Sequence, residues 1–435
     1  MDKHCRIIIF ILFTLISLGE GWGQNCKNII SKDDLSFLYS LTSDVLDSSK
    51  VVSKGHIVIT PGGRNCYPAF WIRDYAMSLG CGLISKEDQF HMLNLTASTQ
   101  CTQTWITNNG SMVPFGAIAD HIRIDNHLPI YFPGTYNYEE QGSEPWGKVP
   151  PYTDQYCFIH MIYTYVKSFH DVKILKSNIN GYSLKERMEW AFKVPPSHLD
   201  THIVYTTDYF RGVDFGFRDA IKIYGDLSIT SIFKYQAAVE LSYLFKLIHE
   251  KEKAKLYLDI ACTLKKNIPL VFLNHRGLLM AGTQYSKQGD VWSTALAVYL
   301  GILEGNDKEK ACQALTSGYK MKRLSYKGNI RHVLMDDDYN GQNAWEGGSG
   351  GKGLYQNGAY WGTPVGWVCY AIAQVDRDAA CRLAKEYIDE LREDDFRKGG
   401  THGAPYECFS PSYTRNPIYL TTVSSPLDVF IKTQN

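Results

Sequence analysis

Apolar residues recur every three to four positions over much of this chain, the spacing of one buried helical face. Between Asp33 and Leu46 they fall at Leu35, Leu38, Leu41 and Leu46. Gln155 to Phe169 repeats the pattern. Leu227 to His249 is longer, with Ile232, Tyr235, Val239, Leu244 and Leu247 on a stripe, and Glu252 to Leu264 follows after a few residues. Val291 to Leu303 with Lys308 to Tyr319, and Gly358 to Val375 with Arg377 to Leu391, give two more consecutive pairs. The stretches between pairs are long and rich in Gly, Pro and aromatics. Helix, short turn, helix, long loop is the rhythm of stacked helical hairpins. Strand patterns are confined to short runs at His56 to Thr60, His202 to Thr206 and Gly277 to Ala281, which read as loop edges. About a dozen paired helices predict an all-α fold, an (α/α)6 barrel of helical hairpins with a few short loop strands. No fixed-period repeat favours an open helical solenoid instead.

The N-terminus stands outside this pattern. Lys3 and Arg6 precede an apolar run from Ile7 to Leu18, and Gly21-Trp22-Gly23 puts small residues before a cut ahead of Gln24. Residues 1–23 therefore read as a secretory signal peptide and 24–435 as one barrel domain. The run is shorter than the roughly 20 residues that span a bilayer, so no membrane association is expected after its removal. The expected location is extracellular or in the secretory lumen. Ten of the 11 cysteines remain between Cys26 and Cys408 without C-x-x-C spacing, which favours several disulfides over a zinc site. Cys66, Cys81 and Cys101 are close enough in the chain for one bridge to staple this region. Asn94-Leu95-Thr96 and Asn109-Gly110-Ser111 are glycosylation sequons.

Charge narrows the partners. Lys and Arg number 45, and Asp and Glu 45, so the clustered basic surplus of a nucleic-acid binder is missing. The 29 Tyr and 9 Trp suit a sugar, whose C–H faces lie against flat rings while polar ring edges donate hydrogen bonds; packing accounts for many of them.

Five loop segments concentrate polar and aromatic residues. Pro61-Gly62-Gly63-Arg64 leads to Tyr67 and Trp71-Ile72-Arg73-Asp74, where Asp74 either caps a helix or accepts two sugar hydroxyls. Asp154, in Pro151-Tyr152-Thr153-Asp154, is placed to cap the helix it opens. Thr207 to Asp219 holds Asp208, Asp214, Asp219, Arg211 and Arg218 among aromatics. A general acid needs a raised pKa, which apolar walls supply. Asp214 has apolar neighbours whereas Asp219 adjoins Arg218, so Asp214 is the expected acid, with Asp208 and Asp219 the alternatives. Asn343-Ala344-Trp345-Glu346 precedes Tyr355-Gln356-Asn357-Gly358 and Tyr360-Trp361, a set able to read hydroxyls and stack on a ring. Asp336-x-Asp338-x-Asn340-Gly341 imitates a calcium loop, but Glu346 comes one position early, so no metal is expected. In Tyr406-Glu407-Cys408, Glu407 is the candidate base. Lipase, Walker, zincin and dinucleotide motifs do not occur.

In the order of these motifs, over most of the mature chain, the sequence resembles the six-hairpin glycosidases, the superfamily of trehalases, glucoamylases and (α/α)6 exo-mannosidases. Pro61-Gly62-Gly63-Arg64 with Trp71-Ile72-Arg73-Asp74 is similar to their early substrate-binding loop. Gly212-Val213-Asp214-Phe215 is similar to the trehalase segment carrying the acid, and Glu407 falls late, where these families place the base. Full trehalase signatures are missing, so trehalose is not implied. The resemblance implies inverting hydrolysis of a glycoside or oligosaccharide, with Asp214 as acid and Glu407 as base. Trp71, Arg73, Asp74, Asp154, Arg218, Asp219, Gln356, Asn357, Tyr360 and Trp361 would hold the sugar, with no cofactor. A lyase (through His402 or Arg211), an epimerase, a phosphorylase and a non-catalytic sugar-binding protein are the alternatives.

Overall fold

The computed structural model describes residues 28–63, 66–143, 146–337, 351 and 353–434. The segment expected to be a signal peptide, Arg64, the Asn343–Glu346 motif and most of the calcium-like pattern lie outside them.

Twelve α-helices are present among the described residues: α1 Lys32–Ser49, α2 Ile72–Ser78, α3 Lys86–Ser98, α4 Tyr152–Phe169, α5 Leu184–Lys193, α6 Ser228–Leu247, α7 Lys251–Phe272, α8 Val291–Tyr299, α9 Gly305–Lys320, α10 Val365–Ala373, α11 Arg377–Glu393 and α12 Leu420–Lys432. The even-numbered helices close a ring, α2 on α4, α4 on α6, α6 on α8, α8 on α10, α10 on α12 and α12 back on α2. The odd-numbered helices pack outside: α3 on α4, α5 and α7 on α6, α9 on α8 and α10, α11 on α10, and α1 on α12. This is the expected (α/α)6 barrel.

The two rings are built from different sequence. Outer α11 buries Ala379, Ala380, Leu383, Ala384, Tyr387, Ile388 and Leu391 and, apart from buried Glu390, turns its charges outward, the stripe of a surface helix. Inner α10 and α8 are buried over nearly their whole lengths, so they read as apolar runs without a stripe. The ends differ too. Outer α1, α3, α5 and α11 start on Ser31, Ser85, Ser183 and Asp376, whose side chains accept from the first turn. Inner α2, α4, α6, α10 and α12 start on Trp71, Pro151, Leu227, Pro364 and Tyr419 with no side-chain cap. Neither Asp74 nor Asp154 is a cap, as the sequence had allowed. Both lie in first turns, where the helix dipole favours a carboxylate.

Strands are short antiparallel pairs in the loops, plus one three-stranded sheet of Ala69–Trp71, His121–Arg123 and Pro129–Ile130. The staple expected among Cys66, Cys81 and Cys101 is not formed: all three are thiols. Cys81 and Cys101 are buried, and the Cys101 thiol donates to the Gln103 carbonyl at 3.0 Å. Cys262 is disulfide-bonded. Of the sequons, Asn109 sits in an exposed turn, whereas Asn94 lies inside α3 with Thr96 buried beneath it.

Candidate active site

The segments entering the six inner helices meet at one end of the barrel. There Tyr67, Trp71, Arg73, Asp74, Gly216, Phe217, Asp219, Tyr355, Glu407 and Tyr419 line a narrow pocket with about 280 Å3 of empty space, mouth included.

Arg73 anchors the floor. Its guanidinium is buried, 3.4 Å from Asp154, 3.8 Å from Asp120 and 3.8 Å from Asp74, and lies over the Phe217 ring at 5.2 Å. Desolvation opposes its charge, but the carboxylates around it, Asp154 foremost, prevail and raise its pKa. They repel one another: burial pushes Asp154 well up and Asp120 up to about 7. The Tyr419 hydroxyl donates to Asp74 at 2.6 Å. Trp71 stacks on His121 with centroids 4.1 Å apart, and burial holds that imidazole neutral, its pKa down to about 3.

Gly216 matters because of this arginine. A Cβ there would run into the Arg73 guanidinium. Gly216→Ala is therefore expected to displace Arg73 and to cost about 1–3 kcal/mol of stability, the usual penalty of overpacking. Urea unfolding of the variant measures it, and an unchanged midpoint would contradict this packing.

Besides Asp74, two carboxyls line the pocket, held by different partners. Glu407 stands on the strand Tyr406–Ser410, which pairs with Tyr413–Pro417. Its oxygens accept from Tyr67 at 3.1 and 3.3 Å, Tyr355 at 3.2 Å and Asn416 at 2.6 Å, with Arg415 3.4 Å away. Burial outweighs these donors and pushes it up to about 7. Asp219 follows the short 3-10 turn Gly216–Arg218. Its Oδ1 accepts from the Ala220 N–H at 3.1 Å and from the Gln356 amide; no donor among the described residues reaches Oδ2. Burial pushes it, too, up to about 7.

Asp214 is not among the lining residues. Arg218 reaches back one turn to it at 2.8 Å and also pairs with Asp290, while Asp290 caps α8 through the N–H groups of Trp292 and Ser293. The sequence reading thus assigned the arginine to the wrong acid: Arg218 neutralises Asp214 four residues away, not the adjacent Asp219. Burial still pushes the Asp214 pKa up against the opposing charge of Arg218, so its absence from the pocket lining, not its charge, separates it from Asp219.

The fourth segment also divides differently from expectation. Tyr355 reaches the pocket. Gln356 is fully buried and spends its amide on Gly216 O, Asp219 and the Ala220 N–H, so it positions Asp219 and reads no hydroxyl. Trp361 is core, against Phe217, Trp292 and His332. Tyr360 packs on Tyr326, and Asn357 is buried away from the lining. Asp154 and Arg218 contribute through buried ion pairs. Sequence reading missed Asp120, Asp290, Arg415, Asn416 and Tyr419 altogether; for Tyr419 the one usable signal was its place immediately before a helix.

No family model and no curated protein sequence matches the chain. Solved structures do. A glucoamylase from Saccharomycopsis fibuligera superposes with a TM-score of 0.56 at 12% identity, over 92% of this chain and 96% of that one. The glucoamylase of Hormoconis resinae gives 0.58 at 12% identity, over 92% and 73%. The chain has the six-hairpin glycosidase fold. A mannosylglycerate hydrolase from Thermus thermophilus, solved with glucose bound, shares that fold with a TM-score of 0.55 at 12% identity, over 90% of this chain and 99% of that one. In the six-hairpin barrel of this chain the pocket lies where the inner-helix N-termini converge.

Proposed function

We propose that the protein hydrolyses a glycosidic bond of a neutral sugar, with Asp219 as general acid and Glu407 as general base. One observation carries the reading: of the three buried carboxyls lining one narrow pocket, Asp219 has an oxygen that no described residue donates to, whereas Glu407 is held by donors on both oxygens. Burial disfavours the charge of both carboxyls, and the open Oδ2 of Asp219 is the one placed to deliver a proton to the leaving oxygen. Glu407 accepts from Tyr67, Tyr355 and Asn416, the pattern of a carboxylate that takes a proton from water. Tyr67, Trp71 and Phe217 supply ring faces and edges for the sugar, and Asp74 accepts its hydroxyls.

The lyase and phosphorylase alternatives need a cation for a uronate or a phosphate. Among the described residues Arg73 is the only cation lining the pocket, and Asp74, Asp120 and Asp154 already surround it. The residues facing the pocket hold a neutral ligand better than an anionic one.

The test is turnover. Purified protein is incubated with α- and β-linked oligosaccharides, with and without inorganic phosphate, and the first-formed anomer is followed by proton NMR. Release of free sugar, independent of phosphate and with inverted configuration, is expected; saturable binding without turnover on every substrate would replace the hydrolase with a sugar-binding protein. Inversion requires the carboxyls about 6.5–9.5 Å apart, so retained configuration would refute the assigned role of Glu407. Protonation gives the pH dependence. Activity falls on the acid side as Glu407 takes up a proton and on the alkaline side as Asp219 loses one. With both pushed to about 7, a narrow bell near neutrality is expected in kcat/KM. A flat profile from weakly acid to weakly alkaline pH would contradict these two groups.

A further inference from the structure

We propose that Arg415 and Asn416, on the strand returning from Glu407, are the positioning residues that fix the orientation and charge of this base. The inference rests on the reading of Glu407 as general base.

The geometry is unusual for a hairpin. Successive side chains of a strand point to opposite faces, so residues 415 and 416 should not reach one atom. Here both reach Glu407 Oε2: the Asn416 amide donates to it at 2.6 Å and the Arg415 Nε stands 3.4 Å away. The backbone shows how. Asn416 has φ of +43°, a left-handed conformation that asparagine tolerates better than most residues, and this breaks the alternation. In the register, Tyr406 faces Pro417 and Cys408 faces Arg415, which brings Asn416 across from Glu407.

Arg415 is itself held in place. Its guanidinium lies 4.1 Å from the Tyr355 ring centroid, while the Tyr355 hydroxyl donates to Glu407 Oε1. One tyrosine thus braces the arginine by its face and the carboxylate by its edge. Oε2 accepts from Asn416 and Tyr67, with the Arg415 charge 3.4 Å away, and Oε1 accepts from the two tyrosines. These contacts fix the carboxylate plane. Arg415 also supplies the positive charge that opposes burial of Glu407. The other groups around the base do not supply it. Burial holds the Cys66 and Cys408 thiols and the Tyr67, Tyr136, Tyr355, Tyr413 and Tyr419 phenols protonated, and Asp74 acts in the opposite sense by raising the pKa of Glu407.

The experiment compares wild type with Arg415→Gln, Arg415→Lys and Asn416→Gly, each checked for folding by circular dichroism. Glycine keeps the left-handed backbone and removes only the amide. On the substrate found in the turnover panel, Arg415→Gln is expected to move the acidic limb of kcat/KM up by about one pH unit or more and to lower kcat about tenfold or more with little change in KM. Arg415→Lys should restore part of the shift, and Asn416→Gly should lower kcat without moving KM. A folded Arg415→Gln with an unmoved limb and unchanged kcat overturns the proposal. If wild type hydrolyses nothing, the Glu407 carboxyl is titrated by carbon-13 NMR in wild type and Arg415→Gln. A raised value in the variant upholds the positioning role although the hydrolase reading has failed, and an unmoved value removes it.

Discussion

Asp219→Asn is expected to lower kcat on a natural glycoside by about a thousandfold, within the usual range for loss of a general acid, while the fold stays intact. Asparagine preserves the shape of the side chain and retains an oxygen for the Ala220 N–H and the Gln356 amide. What it loses is the proton on the open oxygen. Leaving-group chemistry separates this from a structural effect. A glycosyl fluoride needs little help in departure, so Asp219→Asn should recover much of its rate on such a substrate. Glu407→Gln should lose a similar factor on both substrates, because water must still be activated. Asp214→Asn is the internal control. It weakens the Arg218 clasp between Asp214 and Asp290, so it should reduce stability and leave the leaving-group dependence as in wild type. Loss of activity in a folded Asp214→Asn, with Asp219→Asn unaffected, would return the acid role to Asp214.

Arg73→Met should be the most destabilising single change at the site. It removes the guanidinium from among Asp74, Asp120 and Asp154 and leaves buried carboxyls facing one another. Breaking a buried ion pair by removing one partner costs about 3–5 kcal/mol, and here several partners lose the same cation. Urea unfolding at neutral pH gives the value. Arg73→Lys should recover only a part, since a point charge cannot serve three acids from one planar fork. The sign of the pH dependence follows from the protonation states. Without the arginine the acids accept protons more readily, so the deficit should shrink on acidification as they become neutral. A loss below about 1 kcal/mol at every pH, no more than an exposed ion pair contributes, would mean that Arg73 does not hold the cluster together.

Much of the barrel was legible because helix periodicity is a local property. The stripes predicted for Asp33 to Leu46, Leu227 to His249 and Arg377 to Leu391 lie within or across α1, α6 and α11. The helices that were not read are explained by the same physics. Inner α2 and α12 are buried on nearly every side, so they carry no stripe, and α12 contains Pro426. Outer α3 buries Gln89 and Thr96 among its apolar residues, which blurs its pattern. The capping box of Ser183 and Glu186 at the start of α5 was available as a signal.

For the site, the sequence pointed to five loop segments where aromatics and acids crowd, and four of them supply residues to the pocket lining. It also singled out Glu407, a lone acid in its loop. Choosing between Asp214 and Asp219 was beyond it. They are five residues apart in one irregular segment, and their apolar or charged neighbours in sequence are not their neighbours in space. The Arg218–Asp214 pair and the Glu407 hairpin are local contacts, but only closure of the ring decided that Arg218 also meets Asp290 and that Gln356 pins one oxygen of Asp219. Hydrogen bonds and ion pairs between residues tens to hundreds of positions apart depend on where the chain comes back to itself, and periodicity, which reports one helix at a time, does not encode that return.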